Sequence, residues 1–175
     1  FGGSCLPKDL RALLYLAKSN DVELPVLAGL LPSNQIHIDH AVDMILQRGE
    51  RSVGIIGLSF KSGTDDLRES PLVELVERLI GKGMNLKIYD PEVRVSHLIG
   101  ANKRYIEEVV PHIGSLMCES VEEAMEGAST VVVGLQGSDI TSAIYENSKT
   151  SQFFLDLVGL ETPEKLKGEY RGICW

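Results

Sequence analysis

The sequence is poor in basic residues and has no long apolar segment. It contains 17 Lys and Arg against 25 Asp and Glu, which gives a formal net charge of −8. Because nucleic-acid binding depends largely on neutralising phosphates with basic side chains, we expect no nucleic-acid partner. No apolar run approaches the roughly 20 residues that cross a bilayer, so we expect no membrane association either.

Cysteine is also scarce. The sequence has Cys5, Cys118 and Cys174, an odd number without a C-x-x-C pair. This pattern argues against a disulfide framework and against a zinc site, and it makes a reducing cytoplasm the simplest location. The remaining proportions, 43% hydrophobic and 24% charged residues, are those of an ordinary globular domain.

The first residues form a glycine-rich segment, FGGSCLPKDL, with no strand or helix before it. A loop of this composition usually connects one element to another. We therefore expect the sequence to be a fragment of a longer protein, cut at a loop.

Two helical segments are predicted before residue 49. Apolar residues in 6–19 recur at the spacing of one helical face, and a second helical pattern runs over 24–47. Pro32 lies inside the second segment and is expected to kink or divide it. The apolar content of this segment exceeds what one small domain covers from one side, which predicts a homodimer or higher homo-oligomer through 24–47. The alternative is that the segment folds back onto the rest of the chain as ordinary core.

From residue 52 onward, apolar runs alternate with amphipathic segments. Such alternation predicts a doubly wound, mainly parallel, Rossmann-like α/β sheet preceded by the long helical segment. We accordingly divide the chain into residues 1–48 and an α/β domain over 49–175. Strands are predicted at 52–60, 85–90, 130–135 and 152–159, and helices at 71–83, 102–110, 120–127 and 139–147.

The turn after the first predicted strand is a candidate anion site. A dinucleotide fingerprint, G-x-G-x-x-G, would begin at Gly57, but its second glycine is replaced by Ser59 and its third is displaced to Gly63. The turn carries Lys61 and Arg68, two cations suited to phosphate. We interpret this turn as a binding site for a nucleotide-like anion. We do not expect it to bind NAD in the usual manner. The alternative is a degenerate turn with both cations solvated.

A second candidate lies in the segment GGSCLPKD. Gly2 and Gly3 permit positive φ and close backbone approach, and Cys5 precedes a predicted helix start, where free N–H groups stabilise a thiolate. Lys8 adds positive charge, and Asp9 follows Cys5 by one helical turn. The combination is compatible with acyl transfer. The alternative is that Cys5 is a small buried hydrophobic residue.

Other polar residues carry weaker signals. His37 and His40 share a helix face but have no evident third metal ligand, so no metal site is predicted. Cys118 and Cys174 are interpreted as packing residues.

The two candidate segments together resemble one family. FGGSCLPKD, followed some fifty residues later by GLSFKSGTDDLRESP, is similar to the nucleotide-sugar 6-dehydrogenases, which include the UDP-glucose and GDP-mannose dehydrogenases. The later segments SPLVELVERLIGKG, ANKRYIE, LDLVG and GICW resemble the GDP-mannose branch more than the UDP-glucose branch.

The resemblance implies oxidation of a sugar C6 alcohol to a carboxylate with two NAD, here GDP-mannose to GDP-mannuronate for synthesis of an alginate-type exopolysaccharide. Cys5 would be the nucleophile, passing through a thiohemiacetal and a thioester, and Asp9 would position or activate water. Lys8 and Arg68 would contact NAD. The residues expected to bind the nucleotide-sugar are Phe1, Gly2, Gly3 and Lys61.

The resemblance also implies what the chain lacks. The family's N-terminal NAD-binding domain is absent, so residues 1–48 would be the end of the active-site loop and the central dimerisation helices, and residues 49–175 the nucleotide-sugar-binding domain. Alone, this chain is expected to be inactive. Two alternatives stay open: a UDP-glucose 6-dehydrogenase, or a non-catalytic nucleotide-binding or oligomerisation module.

Overall fold

The computed structural model describes residues 1–93 and 113–174. Two helices precede an α/β unit, and the predicted helix at 102–110 lies outside the described residues. Single 3₁₀ turns occur at Ile113–Ser115 and Pro163–Lys165. The helices are α1 (Leu6–Ser19), α2 (Pro25–Leu46), α3 (Pro71–Gly81), α4 (Val121–Met125) and α5 (Ser138–Asn147), and the strands are β1 (Ser52–Ile56), β2 (Asn85–Tyr89), β3 (Thr130–Val133), β4 (Phe153–Asp156) and β5 (Glu169–Gly172).

The described strands form one sheet in the order β2-β1-β3-β4-β5, and every neighbouring pair is parallel. This confirms the prediction of a parallel, Rossmann-like α/β sheet. β3 and β4 are buried along their whole length, as expected for parallel strands covered on both faces. β5 was not predicted, because its sequence, EYRG, is short, largely polar and lies at an edge.

Two hydrophobic clusters cover the two faces of the sheet. One joins the C-terminal part of α2 and the apolar face of α3 to residues of β1, including Ile55. The other joins α4 and α5 to the opposite face, with Phe154 fully buried at its centre. Gly54 lets β1 approach α4, because a side chain there would collide with the carbonyl oxygen of Ala124. The sheet therefore forms the middle layer of a three-layer unit.

α2 is one helix from Pro25 to Leu46, with Pro32 inside it. The predicted division at Pro32 is wrong, because helical hydrogen bonding continues on both sides of the proline. The C-terminal half of α2 is anchored in the core by buried residues such as Ile38, Val42 and Ile45. The N-terminal half is open, with Val26 79% and Ile36 65% exposed. Thus the buried residues of α2 begin at Ile38, and the contact with the α/β unit reaches back to Gln35, whose Nε2 donates to Glu74 of α3 at 2.9 Å.

No helix in the described part of the chain is long and apolar enough to span a bilayer.

The end of β2 is tied to the turn that follows β1. Asp90 is 4% exposed, and its Oδ2 accepts hydrogen bonds from Leu58 N (2.8 Å), Ser59 N (2.9 Å) and Ser59 Oγ (2.9 Å). Its Oδ1 accepts one from Glu92 N at 3.0 Å. The far end of the same loop is held by Ser70, which caps α3 and donates to Leu58 O at 2.8 Å. These bonds fix both ends of the β1–α3 loop.

Replacement of Asp90 by alanine should destabilise the fold. It leaves the backbone N–H groups of Leu58 and Ser59 without an acceptor, whereas the Ser59 hydroxyl can still donate to Lys61 O at 3.0 Å. We therefore expect the free energy of unfolding to fall by about 2 kcal/mol or more. Urea unfolding followed by circular dichroism measures this loss. Asp139→Ala is the matched control, because Asp139 is exposed and its recorded partner is only the neighbouring Ser138. A loss for Asp90→Ala no larger than that of the control would contradict the role of the carboxylate.

Candidate functional site

The carboxyl edge of the sheet holds a cleft at the point where the strand order reverses, between β1 and β3. Ligands bind at this point in open α/β sheets. Gly57 (φ +105°) lets the chain leave β1 against the loop after β3, since a Cβ on it would lie 2.7 Å from Leu135 Cβ. A cavity of about 240 Å³ opens nearby, lined in part by Gly2, His37, Phe60 and Gly134. The cleft therefore joins the first residues of the chain to the β1–α3 loop.

The turn after β1 does not fit a dinucleotide bound in the usual Rossmann manner. The N–H groups of Leu58 and Ser59, which would face a pyrophosphate in a fingerprint turn, already donate to Asp90. The acidic residue that follows the second strand would bind a ribose in that motif, yet Asp90 is buried and fully engaged here. An anion bound at this turn would therefore have to be held by side chains.

The glycine-rich segment docks on the β1–α3 loop. Gly3 has φ +90° and donates from its N–H to Glu69 O at 3.3 Å, and a Cβ on it would lie 2.8 Å from the Phe60 ring. Gly2 is buried, and a side chain there would collide with Glu69 O and the Pro71 ring. Both glycines are thus required by close packing against the loop. Their predicted contact with a nucleotide-sugar stays a prediction.

Phe1 lies beside α2. Its ring is partly exposed, and its carbonyl oxygen accepts a hydrogen bond from Asn34 Nδ2 at 2.5 Å. Together with Asn34 it lines the same cavity as Gly2. The segment predicted to wrap a nucleotide-sugar therefore borders the cleft.

Cys5 is the N-cap residue of α1 and is exposed. Its Sγ lies 3.8 Å from Ser4 Oγ, and its carbonyl oxygen accepts the Asp9 N–H at 2.9 Å. The alternative that Cys5 is a small buried hydrophobic residue is wrong. The thiol is accessible at the positive, N-terminal end of a helix.

Two cations from different elements lie near this thiol. Lys8 Nζ is 2.8 Å from Asp9 Oδ1, and this hydrogen bond raises the pKa of Lys8, with a smaller contribution from the negative charge of Cys5. Arg68 forms two bonds to Asp66 (2.8 and 2.9 Å), which raise the pKa of Arg68, and Cys5 again adds a small contribution. Cys5 therefore lies within electrostatic range of both Lys8 and Arg68.

The two nearby carboxylates are already paired. Arg68 lowers the pKa of Asp66, which also accepts a weaker hydrogen bond from Ser4. Among the residues described, the partner of Asp9 is Lys8 and not the thiol. A shared helix face was predicted for Asp9 and Cys5, but contact between their side chains is not what the structure records.

Lys61 lies in the same loop, exposed, with its Nζ 5.5 Å from the centre of the Phe60 ring. Within residues 1–93 and 113–174 it forms no ion pair with a carboxylate, in contrast to Lys8 and Arg68. The next residue, Ser62, donates from Oγ to Gln136 O at 3.1 Å and so ties the loop to the end of β3. Lys61 is thus available to an anion at the mouth of the cleft.

Sequence reasoning missed a pair that crosses the site. Arg11 of α1 donates from both terminal nitrogens to the carboxylate of Glu69, at 2.8 Å each. It also missed Gln136, whose Nε2 donates to Val158 O and Gly159 O and joins the loops after β3 and β4. No local spacing indicates such pairs, since their members lie 58 and about 22 residues apart.

Cys174 and Cys118 take no part in the contacts described around Cys5. Cys174 was interpreted as a packing residue, which is wrong: it is exposed, with Sγ 3.5 Å from His37 Nδ1. Cys118 packs partly buried against the second cluster, and burial raises the pKa of its thiol. In the described ranges no three His, Cys, Asp or Glu side chains form a group that could hold a metal ion.

Comparison with known proteins gives a consistent result. Residues 54–160 match the UDP-glucose/GDP-mannose dehydrogenase family, UDP binding domain. The whole chain is 46% identical to a GDP-mannose 6-dehydrogenase of Pseudomonas aeruginosa over 175 residues and 42% identical to one of Azotobacter vinelandii, and it covers 40% of each. Over 78% of its length it is 32% identical to a UDP-glucose 6-dehydrogenase of Rickettsia felis, of which it covers 30%.

Solved structures agree with these matches. A crystal structure of a ternary complex of GDP-mannose dehydrogenase from Pseudomonas aeruginosa superimposes with a TM-score of 0.85 at 44% identity, covering all of this chain and 40% of that one. A UDP-glucose dehydrogenase from Pyrobaculum islandicum gives a TM-score of 0.80 at 24% identity, covering all of this chain and 38% of the other, which shows a shared fold. The chain spans about two fifths of the length of the curated GDP-mannose relatives it matches.

Proposed function

Because this chain belongs to the UDP-glucose/GDP-mannose dehydrogenase family, we propose that it is the nucleotide-sugar-binding part of an NAD-dependent GDP-mannose 6-dehydrogenase. The observation that carries this proposal is the exposed thiol of Cys5, held at a helix start beside Lys8 and Arg68. Identity of 46% over the whole chain to a GDP-mannose enzyme, against 32% over a shorter stretch to a UDP-glucose enzyme, supports the choice of sugar nucleotide.

The proposed reaction converts the C6 alcohol of GDP-mannose into the carboxylate of GDP-mannuronate. NAD, when bound, supplies the hydride acceptor for two successive oxidations. The Cys5 thiolate adds to the C6 aldehyde and, with a proton, forms a thiohemiacetal; loss of a hydride and a proton leaves a thioester. Water then adds to the thioester carbonyl, the C–S bond breaks, and Cys5 is released. Asp9, one helical turn along α1, accepts the proton of that water.

The charged side chains divide the binding between them. Lys61, which carries no intramolecular ion pair in the described part of the protein, would bind the diphosphate of the nucleotide-sugar, with Phe1 and the two glycines bordering the sugar. Lys8 and Arg68 fit the phosphates of NAD as side-chain donors, in place of the backbone donors that Asp90 occupies. A phosphate that binds Arg68 would have to displace the carboxylate of Asp66, which is also an anion.

The two parts of the chain would then have different tasks. Residues 1–48 supply the end of the active-site loop and the dimerisation helices, and residues 49–175 bind the nucleotide-sugar. The product would serve an alginate-type exopolysaccharide. A reducing cytoplasm keeps Cys5 a free thiol, which supports that location for the proposed enzyme.

Replacement of Cys5 by serine tests the proposed nucleophile. In the natural protein that carries this chain, Cys5→Ser should lower formation of GDP-mannuronate by a factor of roughly 10³ or more, the scale of losing an activated nucleophile. Product is measured by chromatography with GDP-mannose and NAD supplied. Cys174→Ser is the matched control and should retain activity, because Cys174 pairs with His37 and not with the groups around Cys5. Normal acid formation by Cys5→Ser would remove Cys5 from the mechanism.

Lys61 tests the choice of ligand. A charge-assisted hydrogen bond contributes about 1.5–3 kcal/mol, so Lys61→Ala should weaken binding of GDP and GDP-mannose roughly ten- to hundredfold. Calorimetry on this chain with GDP, UDP, GDP-mannose and NAD measures the affinities. Lys82→Ala, an exposed lysine at the end of α3, is the control. Tighter binding of UDP would favour the UDP-glucose 6-dehydrogenase alternative, whereas unchanged GDP binding by Lys61→Ala would exclude Lys61 from the site.

The open helices support a homodimer or a higher homo-oligomer. α1 and the first half of α2 expose Leu6, Tyr15, Val26 and Ile36, an apolar surface of the kind that marks protein interfaces. We propose that a second copy of this chain covers it, through residues 24–37 rather than through the whole of 24–47. If the chain were instead a non-catalytic oligomerisation module, this self-association would be its main function.

A charged residue in this surface should dissociate the oligomer. Val26→Asp places a carboxylate on the most exposed apolar side chain of α2, so we expect light scattering to shift from an oligomeric to a monomeric mass. Ile80→Asp is the control, since Ile80 is a 40% exposed apolar residue on α3, outside the surface. A monomeric mass for the unmodified chain at high concentration would contradict self-association.

A further inference from the structure

We propose that Arg11 and Glu69 are positioning residues that hold the Cys5 thiol against the β1–α3 loop. This inference rests on the proposed function, because it takes Cys5 as the nucleophile of that reaction. Arg11 and Glu69 need touch neither a substrate nor a cofactor. They act through the placement of the first turn of α1.

Glu69 contacts the chain on both sides of Cys5. Its carboxylate accepts the two hydrogen bonds from Arg11, six residues after Cys5. Its carbonyl oxygen accepts the N–H of Gly3, two residues before Cys5. One residue of the β1–α3 loop therefore brackets the thiol, and a shift of either contact moves the helix start on which the thiol lies.

Few other contacts fix α1. Of its fourteen residues only Pro7 is buried, and the N-cap Cys5 makes no side-chain cap of its own. In a helix with so little buried surface, a two-bond contact between Arg and a carboxylate makes up a large share of what orients it. Arg11–Glu69 is the contact that reaches the β1–α3 loop from the second turn of α1.

The backbone of Glu69 adds a second observation. Its φ of +51° lies in the left-handed region, where glycine would be less strained. A long acidic side chain is nevertheless present, and it is the group that reaches Arg11. The backbone conformation at this position favours glycine, yet the loop has a glutamate there.

The contacts of Glu69 decide which charges surround the thiol. Cys5 interacts electrostatically with Lys8 of α1, which is paired with Asp9, and with Arg68 of the β1–α3 loop, which is paired with Asp66. If the Arg11–Glu69 pair is broken, α1 is free to move away from the loop, and Arg68 is the cation that the thiol loses. Alkylation of Cys5 should then be slower, because less positive charge lies beside the thiol.

Alkylation of Cys5 by iodoacetamide, followed by mass spectrometry on this chain across a range of pH, measures the effect. Arg11→Met and Glu69→Ala should each slow the alkylation of Cys5 by about two- to fivefold near pH 7.5, the scale of an exposed ion pair. Because both variants remove the same contact, the double variant should be no slower than the slower single one.

Two further variants separate position from charge and from stability. Arg11→Lys keeps the charge but loses the planar two-bond geometry, so it should also slow Cys5. Arg48→Met breaks a matched two-bond pair with Glu169, far from the thiol, and should leave the Cys5 rate unchanged. A wild-type rate for Arg11→Lys would mean that charge alone acts, and equal effects of Arg48→Met would mean a general loss of stability. Either result overturns the proposal, as do single effects that add in the double variant.

The alkylation rates and the activity of Cys5→Ser test two different claims, the placement of the thiol and its catalytic role. These rates are measured without substrate, NAD or turnover, so they report placement of the thiol whether or not Cys5 is catalytic. Acid formation by Cys5→Ser would remove the catalytic role and leave the alkylation pattern intact. An unchanged alkylation pattern, with acid formation lost in Cys5→Ser, would remove only the positioning role.

Discussion

The carboxylate of Asp90 accepts three hydrogen bonds on one oxygen, and the rest of the site depends on the turn that these bonds shape. They draw Leu58 and Ser59 toward the end of β2 and start the β1–α3 loop in a fixed direction. Phe60 then packs over Gly3, and Glu69 reaches the main chain of Gly3 from the other end of the loop. The same interaction that closes the turn to a dinucleotide thus builds the surface on which the cysteine segment docks.

The buried strands and the amphipathic helices could be predicted because each is encoded locally. Continuous apolar runs indicate β1, β3 and β4, and an alternating pattern that ends before Pro91 indicates β2. α3 begins at Pro71, the residue after its Ser70 cap, as its sequence indicates. β5 has no such signal, since EYRG is short and polar and pairs only with β4 at an edge. Nor does Pro32 divide α2: tertiary packing of Ile38 and Val42 overrides a local helix breaker.

The site was predictable only in part, for the same reason. Two adjacent glycines, a cysteine at a helix start and a loop with two cations are local patterns, and the structure brings Cys5, Lys8 and Arg68 together. The pairs that hold them are not local. Arg11 and Glu69 lie 58 residues apart, and Asp90 lies about 31 from the turn it binds, so neither leaves a periodic trace in the sequence. The exposure of Cys174 beside His37 likewise depends on where β5 ends relative to α2.

The thiol lies at the boundary between a tightly packed unit and a loosely packed one. The α/β unit buries β3 and β4 completely, whereas α1 buries only Pro7 and the first half of α2 exposes apolar side chains such as Val26. Elements with little buried surface move more readily than a core does. Cys5 therefore lies at the start of an element with little buried surface, while Lys61 and Arg68 lie in a loop that is anchored to the α/β unit at both ends. Whatever covers the open helices must also influence how closely the thiol approaches its cations, which makes the contact between the two units the variable part of the site.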